Sequence, residues 1–352
     1  MNKNFFNYKI NIKLNDILKI LDIPRDEFLV VNNNNNLNID EIFINDFVPF
    51  KDLKENALSF LNNTNYDFKE IFSGLCILEK KNINFLNENI IKIPFKNPKL
   101  GFSKILELYN SKIPIDNFSI HTTAIIDDNA KIGKNVNIGP YSHIEKGVVI
   151  GDNTYISERV TISKNCIIGK NCIIHSGVII ECSILQDRVK VSANSVLGKV
   201  GFGFVPDNYQ TSLMPHFGGL LVGEGTYIGA NCTIDRGFIE NTVIGKSVMI
   251  DNQVHVGHNC IIEDLCILAG QVGLSGSVKL KKKVTLAGDV SIKDNVTIGE
   301  NSIVAGASKV FNTFPENSVI GGNPAQNLSD WKKIIASQKL NLKKRKFKTN
   351  DN

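Results

Sequence analysis

No stretch of this 352-residue chain strings together the ~18 apolar residues that a membrane span needs. The N-terminus lacks the apolar core of a signal peptide, so the expectation is a cytoplasmic chain. A strong charge imbalance is also missing. Lys and Arg number 40 against 35 Asp and Glu, a net +5 at pH 7, which is too mild over this length for a general nucleic-acid binder. What is present is apolar content of 42%, enough for a substantial core, in a chain longer than one average domain. Two domains or one long repeat array are the natural priors. Asn, Lys and Ile are abundant, which reads as a compositional bias of the genome, and the run Asn32 to Asn36 reads as a solvated loop. Basic residues crowd the C-terminal end at Lys343, Lys344, Arg345, Lys346 and Lys348.

Periodicity decides the fold class. Isoleucine recurs at every sixth position at Ile126, Ile132, Ile138, Ile144, Ile150, Ile156, Ile162, Ile168, Ile174 and Ile180. The phase weakens near Gln186, resumes at Val222, Ile228 and Ile234, slips by four residues, and runs again from Ile244 to Val310. A six-residue period fits neither a helix nor an alternating strand. It fits short strands joined at tight corners, with three hexapeptides closing one triangular coil and the aliphatic residue pointing inward. One coil cannot bury that residue alone, so stability must come from stacking.

The same register places the cysteines. Cys166, Cys172, Cys232, Cys260 and Cys266 each lie four residues after an inner aliphatic position, where Val or Thr sits elsewhere. They read as small core residues rather than as disulfides or metal ligands.

Function is sought where the repeat breaks. The main interruption, Gly198 to Leu221, carries Gly201-Phe202-Gly203-Phe204-Val205-Pro206-Asp207. It is either a surface excursion or a wall over a groove, and its length favours the wall. A second stretch, Ile250 to Asn259, packs Asp251, Asn252, Gln253, His255, His258 and Asn259 into ten residues. His258 falls two residues after an inner position, near a corner, and should face outward. It is either an exposed histidine without a role or a proton acceptor, and the residues alone leave both open. The residue stacked on it one coil later, eighteen positions on, is Gly276, where a thioester carbonyl could approach the backbone N–H. His121, His143, His175 and His216 are scattered and read as surface residues.

The repeat over roughly residues 113–320 resembles the hexapeptide-repeat acyltransferases, and this resemblance supplies the left hand of the helix. Thr233-Ile234-Asp235-Arg236-Gly237, Ile250-Asp251-Asn252-Gln253, Gly257-His258-Asn259 and the Gly-Phe-Gly-Phe-x-Pro-Asp loop are similar to those of the UDP-3-O-(3-hydroxyacyl)glucosamine N-acyltransferases of lipid A synthesis. Ser59 to Tyr66 is similar to that family's uridine-binding stretch, pointing to Phe60, Asn63 and Tyr66, since aromatics stack on a base and an amide reads its edge. Asn97-Pro98 followed by Phe102 echoes the family as well.

The resemblance implies a mainly β protein: a left-handed parallel β-helix over 113–320, a small α/β uridine-binding domain over 1–112, and a short basic helical tail over 321–352. It implies transfer of a 3-hydroxyacyl chain from acyl carrier protein to a UDP-sugar amine, with His258 as base and Gly276 N–H on the oxyanion. Asp251, Asn252 and His255 would orient the sugar. No metal or free cofactor is needed, because the acyl group arrives on the phosphopantetheine of the carrier. A homotrimer is implied, with active sites between neighbouring helices, and Lys332, Lys333 and the Lys343–Lys348 cluster would steer the acidic carrier. One departure is that Asp294-Asn295 stands where the family often has Gly-His, so any second-histidine role is either lost or passes to the Asn295 amide. The rivals are the sister enzyme that O-acylates UDP-N-acetylglucosamine, an acetyl-CoA-dependent acetyltransferase, a γ-carbonic anhydrase using His255 and His258 on zinc, and a non-catalytic scaffold.

Overall fold

A computed structural model describes residues 9–32, 38–62, 71, 73–109, 119–206 and 209–322, with positions 333, 336, 337 and 340. The chain packs into two units, 1–117 and 118–352.

In the first unit four parallel strands, Asp46–Phe47, Ala57–Leu61, Gly74–Leu78 and Ile90–Pro94, form one sheet in chain order. Gly74–Leu78 is buried along its whole length, as expected of a parallel strand covered on both faces. Helix Pro98–Leu106 starts where the sequence dictates: the Asn97 side chain accepts from Leu100 N at 3.1 Å, and Pro98 occupies the first turn, where its missing N–H costs nothing. That helix brings Phe102 to 5.0 Å from Phe60 and 5.8 Å from Phe47, ring centroid to ring centroid. Asn32 is no solvated loop residue. Its side chain accepts from Lys92 N at 2.8 Å and donates to Lys92 O at 2.9 Å, pinning the end of helix Arg25–Val31 to the sheet. Asn33 to Asn36 lie outside the described residues.

The second unit is a left-handed parallel β-helix, with three sheets of ten, nine and ten short strands among the described residues. Strands pair eighteen residues apart, as in Ile126↔Ile144↔Ile162 and Val256↔Leu274↔Ile292. The inner column is dry: Ile144, Ile162, Ile180, Ile234, Ile250 and Leu268 have no exposed surface. Cys166, Cys172, Cys232, Cys260 and Cys266 join that core, and burial pushes the Cys260 thiol up to about 12. Their thiols stay protonated and inert.

Asparagine proves structural here rather than only compositional. Asn135, Asn153, Asn165, Asn171, Asn259 and Asn295 sit at corners with φ between 53° and 60°, a left-handed conformation that Asn tolerates better than other side chains.

Candidate active site

The 198–221 interruption leaves strand Val196–Lys199, projects an antiparallel ribbon of Phe204–Pro206 against Thr211–Leu213, and rejoins the helix at Leu220–Val222. Phe202 and Phe204 pack with ring centroids 5.3 Å apart and planes inclined by 53°, and both line a cleft of about 790 Å³. Asp235, His255, His258, Gly276, Asp294 and Asn295 line that cleft.

His258 occupies the place that its register assigned, over Gly276. A Cβ added at Gly276 would lie 2.8 Å from both Cε1 and Nε2 of the imidazole, so only glycine lets the ring rest there. The protonation of the ring is set from behind. Asn259 Oδ1 accepts from Phe238 N at 3.0 Å while its Nδ2 donates to Glu240 O at 3.3 Å, which fixes the amide in one orientation. The remaining contact, His258 Nδ1 to Asn259 Oδ1 at 2.9 Å, then requires an N–H on Nδ1. Neutral His258 therefore carries its lone pair on Nε2, the nitrogen set beside Gly276.

The Gly276 N–H is equally exposed by design of the rung. At comparable corners the backbone N–H is capped by a side chain about one coil on: Lys134 by Asp152, Lys246 by Asp264, Lys170 by Asp187 and Ala230 by Asn252, at 2.8–2.9 Å. The residue one coil after Gly276 is Asp294, whose carboxylate instead accepts from Asn295 Nδ2 at 2.9 Å. Among the described residues nothing accepts from Gly276 N. Gly257 keeps the donor open too, because a Cβ there would sit 2.9 Å from that nitrogen. A base lone pair and a free backbone donor thus share one face of the cleft, which is what attack on a carbonyl requires.

His255 and Asn295 reach the same cleft. His255 Nδ1 meets Thr233 Oγ1 at 2.8 Å, and its Nε2 stands 3.9 Å from Asp235 Oδ2. Asp251 and Asn252 do not line it. They are exposed at the preceding corner, where Asn252 Oδ1 accepts from Ala230 N. Phe60 is half-buried against Phe102 in the first unit, while Asn63, Tyr66, Lys332 and the Lys343–Lys348 cluster lie outside the described residues.

The sequence assigns no role to two residues of the site, Asp235 standing only within the Thr233–Gly237 motif. His216, expected at the surface, is only 4% exposed. Its Nδ1 lies 2.8 Å from Met214 O, its ring packs edge-on to His258 at 5.3 Å, and Arg236 Nε holds its carbonyl at 3.2 Å. Asp235 is 2% exposed, and burial pushes its carboxyl up, opposed by His255 and Lys199. Among the described residues no three His, Cys, Asp or Glu side chains converge to hold a metal ion, and no helix is long and apolar enough to cross a membrane.

Comparison with known proteins agrees with the geometry. Residues 129–164 and 241–276 match the model of the bacterial transferase hexapeptide (six repeats), and residues 159–199 match the hexapeptide repeat of succinyl-transferase. A UDP-3-O-acylglucosamine N-acyltransferase of Polynucleobacter asymbioticus is 28% identical over 62% of this chain and 65% of its own length. One from Coxiella burnetii is 44% identical over 48% of this chain and 49% of its own. A third, from Saccharophagus degradans, is 36% identical over 60% and 62%. The chain thus spans about half to two thirds of the length of these curated relatives. Among solved structures, the Arabidopsis UDP-N-acetylglucosamine acyltransferase superposes with a TM-score of 0.53 at 25% identity, over 58% of this chain and 71% of that one. Hexapeptide repeats of the bacterial-transferase type are thus recognised within the β-helix, and the curated relatives that this chain matches over about half to two thirds of their length are UDP-3-O-acylglucosamine N-acyltransferases.

Proposed function

We propose that the protein is an N-acyltransferase that moves a 3-hydroxyacyl chain from acyl carrier protein to the 2-amine of UDP-3-O-(3-hydroxyacyl)glucosamine. The observation that carries this reading is the pairing of His258 Nε2, held as a lone-pair acceptor by Asn259, with the open N–H of Gly276. The amine attacks the thioester carbonyl, His258 takes its proton, and Gly276 N–H receives the developing oxyanion. The tetrahedral adduct then expels the thiol of the carrier's phosphopantetheine, which leaves with the proton held by His258. No covalent enzyme intermediate is needed. Phe60, Asn63 and Tyr66 hold the uracil, and the basic residues Lys332, Lys333 and Lys343–Lys348 attract the carrier.

A homotrimer is part of the proposal. One sheet of the helix carries an outward apolar ladder, Tyr227, Met249, Ile267, Ile303 and Val319, between 38% and 85% exposed. Such a strip on one face, interrupted by Thr285 between Ile267 and Ile303, fits burial against a second copy. Asp251 and Asn252 border that strip, and would reach the cleft of a neighbouring chain to orient the sugar.

The test is product chemistry. The 3-hydroxyacyl carrier is offered with UDP-3-O-acylglucosamine or with UDP-N-acetylglucosamine. Amide formation on the first alone supports the reading, whereas ester formation on the second gives the function to the O-acylating sister class.

A further inference from the structure

Asp235 poses a problem that its neighbours do not solve. It ends strand Thr233–Asp235, lies 2% exposed, and lines the cleft that contains His258. Its Oδ1 is buried without a hydrogen-bond partner among the described residues. Lys199 Nζ stands 3.6 Å from Oδ1 and His255 Nε2 stands 3.9 Å from Oδ2, both beyond hydrogen-bond reach. Both side chains are half exposed and bonded elsewhere, Lys199 Nζ to Val200 O at 3.2 Å and His255 Nδ1 to Thr233 Oγ1 at 2.8 Å. Arg236, the adjacent residue, is committed elsewhere, to Gly198 O and His216 O. A carboxylate kept out of water in this way is costly unless a donor fills the empty place.

We propose that Asp235 is the docking site for the acceptor's amine in its ammonium form, and so the residue that selects an amine over a hydroxyl acceptor. This rests on the acyl-transfer reading above and names the group that reads the nucleophile. An ammonium offers three charged N–H donors to an oxygen that has an ion-pair neighbour in Lys199 but no hydrogen-bond donor, whereas a sugar hydroxyl offers one neutral donor. The proton balance closes. The bound ammonium loses one proton to water. The resulting amine forms the C–N bond as its second proton passes to His258 Nε2, and the C–S bond breaks as the departing thiolate recovers that proton. Asp235 is unchanged at the end. The titratable groups facing it are Lys199 from the preceding coil, His255 and His258 from the next, and Asp294 across the cleft. Burial of the carboxyl, which holds its pKa up, accords with a site completed by a cation.

The experiment is calorimetric binding of UDP-glucosamine and of UDP-N-acetylglucosamine to the full chain at about pH 7 and about pH 9, where the amine is respectively largely charged and largely neutral. The acetyl cap removes the charge. Wild type is expected to prefer the amine by about tenfold or more at the lower pH, the step that a charge-assisted hydrogen bond supplies, and to lose most of that preference at the higher pH. Asp235→Asn, which keeps the shape, should lose the preference for the amine over the N-acetyl sugar at both. Asp235→Glu should keep part of it. A preference that is independent of pH and survives in Asp235→Asn is steric and overturns the proposal. Equal binding of both sugars by wild type also overturns it while leaving the transfer reading intact. Binding of neither sugar overturns the transfer reading, and with it the amine as the ligand of Asp235.

Discussion

Gly276 shows how much one missing methyl group decides. A Cβ there would stand 2.8 Å from the imidazole Nε2 of His258, so Gly276→Ala must push the base away from its donor. The expected result is a fall in kcat of about a hundredfold, the scale of losing one oxyanion contact, with an unchanged circular dichroism spectrum. Asp235 makes the opposite bargain. Its folded pKa is raised above the unfolded value, so the folded state binds more protons and stability falls as pH rises through the window between the two. Asp235→Asn should therefore stabilise the chain by about 1 kcal/mol at neutral pH, and that gain should vanish in melts below about pH 4, where wild type is protonated too. The pairing of His258 with Gly276 was legible in sequence because a strict eighteen-residue coil makes stacking a matter of counting. Asp235 and His216 were not, because their burial depends on where the 198–221 excursion lands, and no periodicity reports that. Asn259 looked like one more polar residue. Its role comes from Phe238 N and Glu240 O, which the chain brings to it only after folding.

At the level of elements, the hexapeptide coil is the unit of stability. Ile144 fills the inner column with no exposed surface and stacks between Ile126 and Ile162. Ile144→Ala should cost about 2–5 kcal/mol in denaturant unfolding, since a stacked coil has little room to collapse around the cavity. The ribbon Phe204–Pro206 and Thr211–Leu213 belongs to no coil. Replacing residues 204–213 by a short glycine turn should leave the melting temperature within a few degrees and weaken substrate binding, read as a rise in KM. The repeat told the fold class because its period is dictated by geometry. The corners were read less well: their asparagines looked like composition until the positive φ at Asn135, Asn165 and Asn259 gave them a conformational reason. The ribbon was hidden because glycine and proline signal a break in the repeat without specifying what fills it.

The whole molecule presents an apolar ladder that a lone chain leaves in water. Met249 and Ile267 are each 46% exposed and pair directly across adjacent strands. Met249→Lys should dissociate the proposed trimer, read as a shift from three chains to one in sedimentation, with activity lost together with assembly. The central claim, however, is that this helix carries an amide-forming site whose base is His258. Its most direct test is single-turnover transfer of a 3-hydroxyacyl group from carrier protein to UDP-3-O-acylglucosamine by wild type and by His258→Ala. The account predicts amide product from wild type and a rate lower by about a hundredfold to ten-thousandfold in the variant, the span that a positioned general base supplies. An unchanged rate in a correctly folded His258→Ala would contradict it.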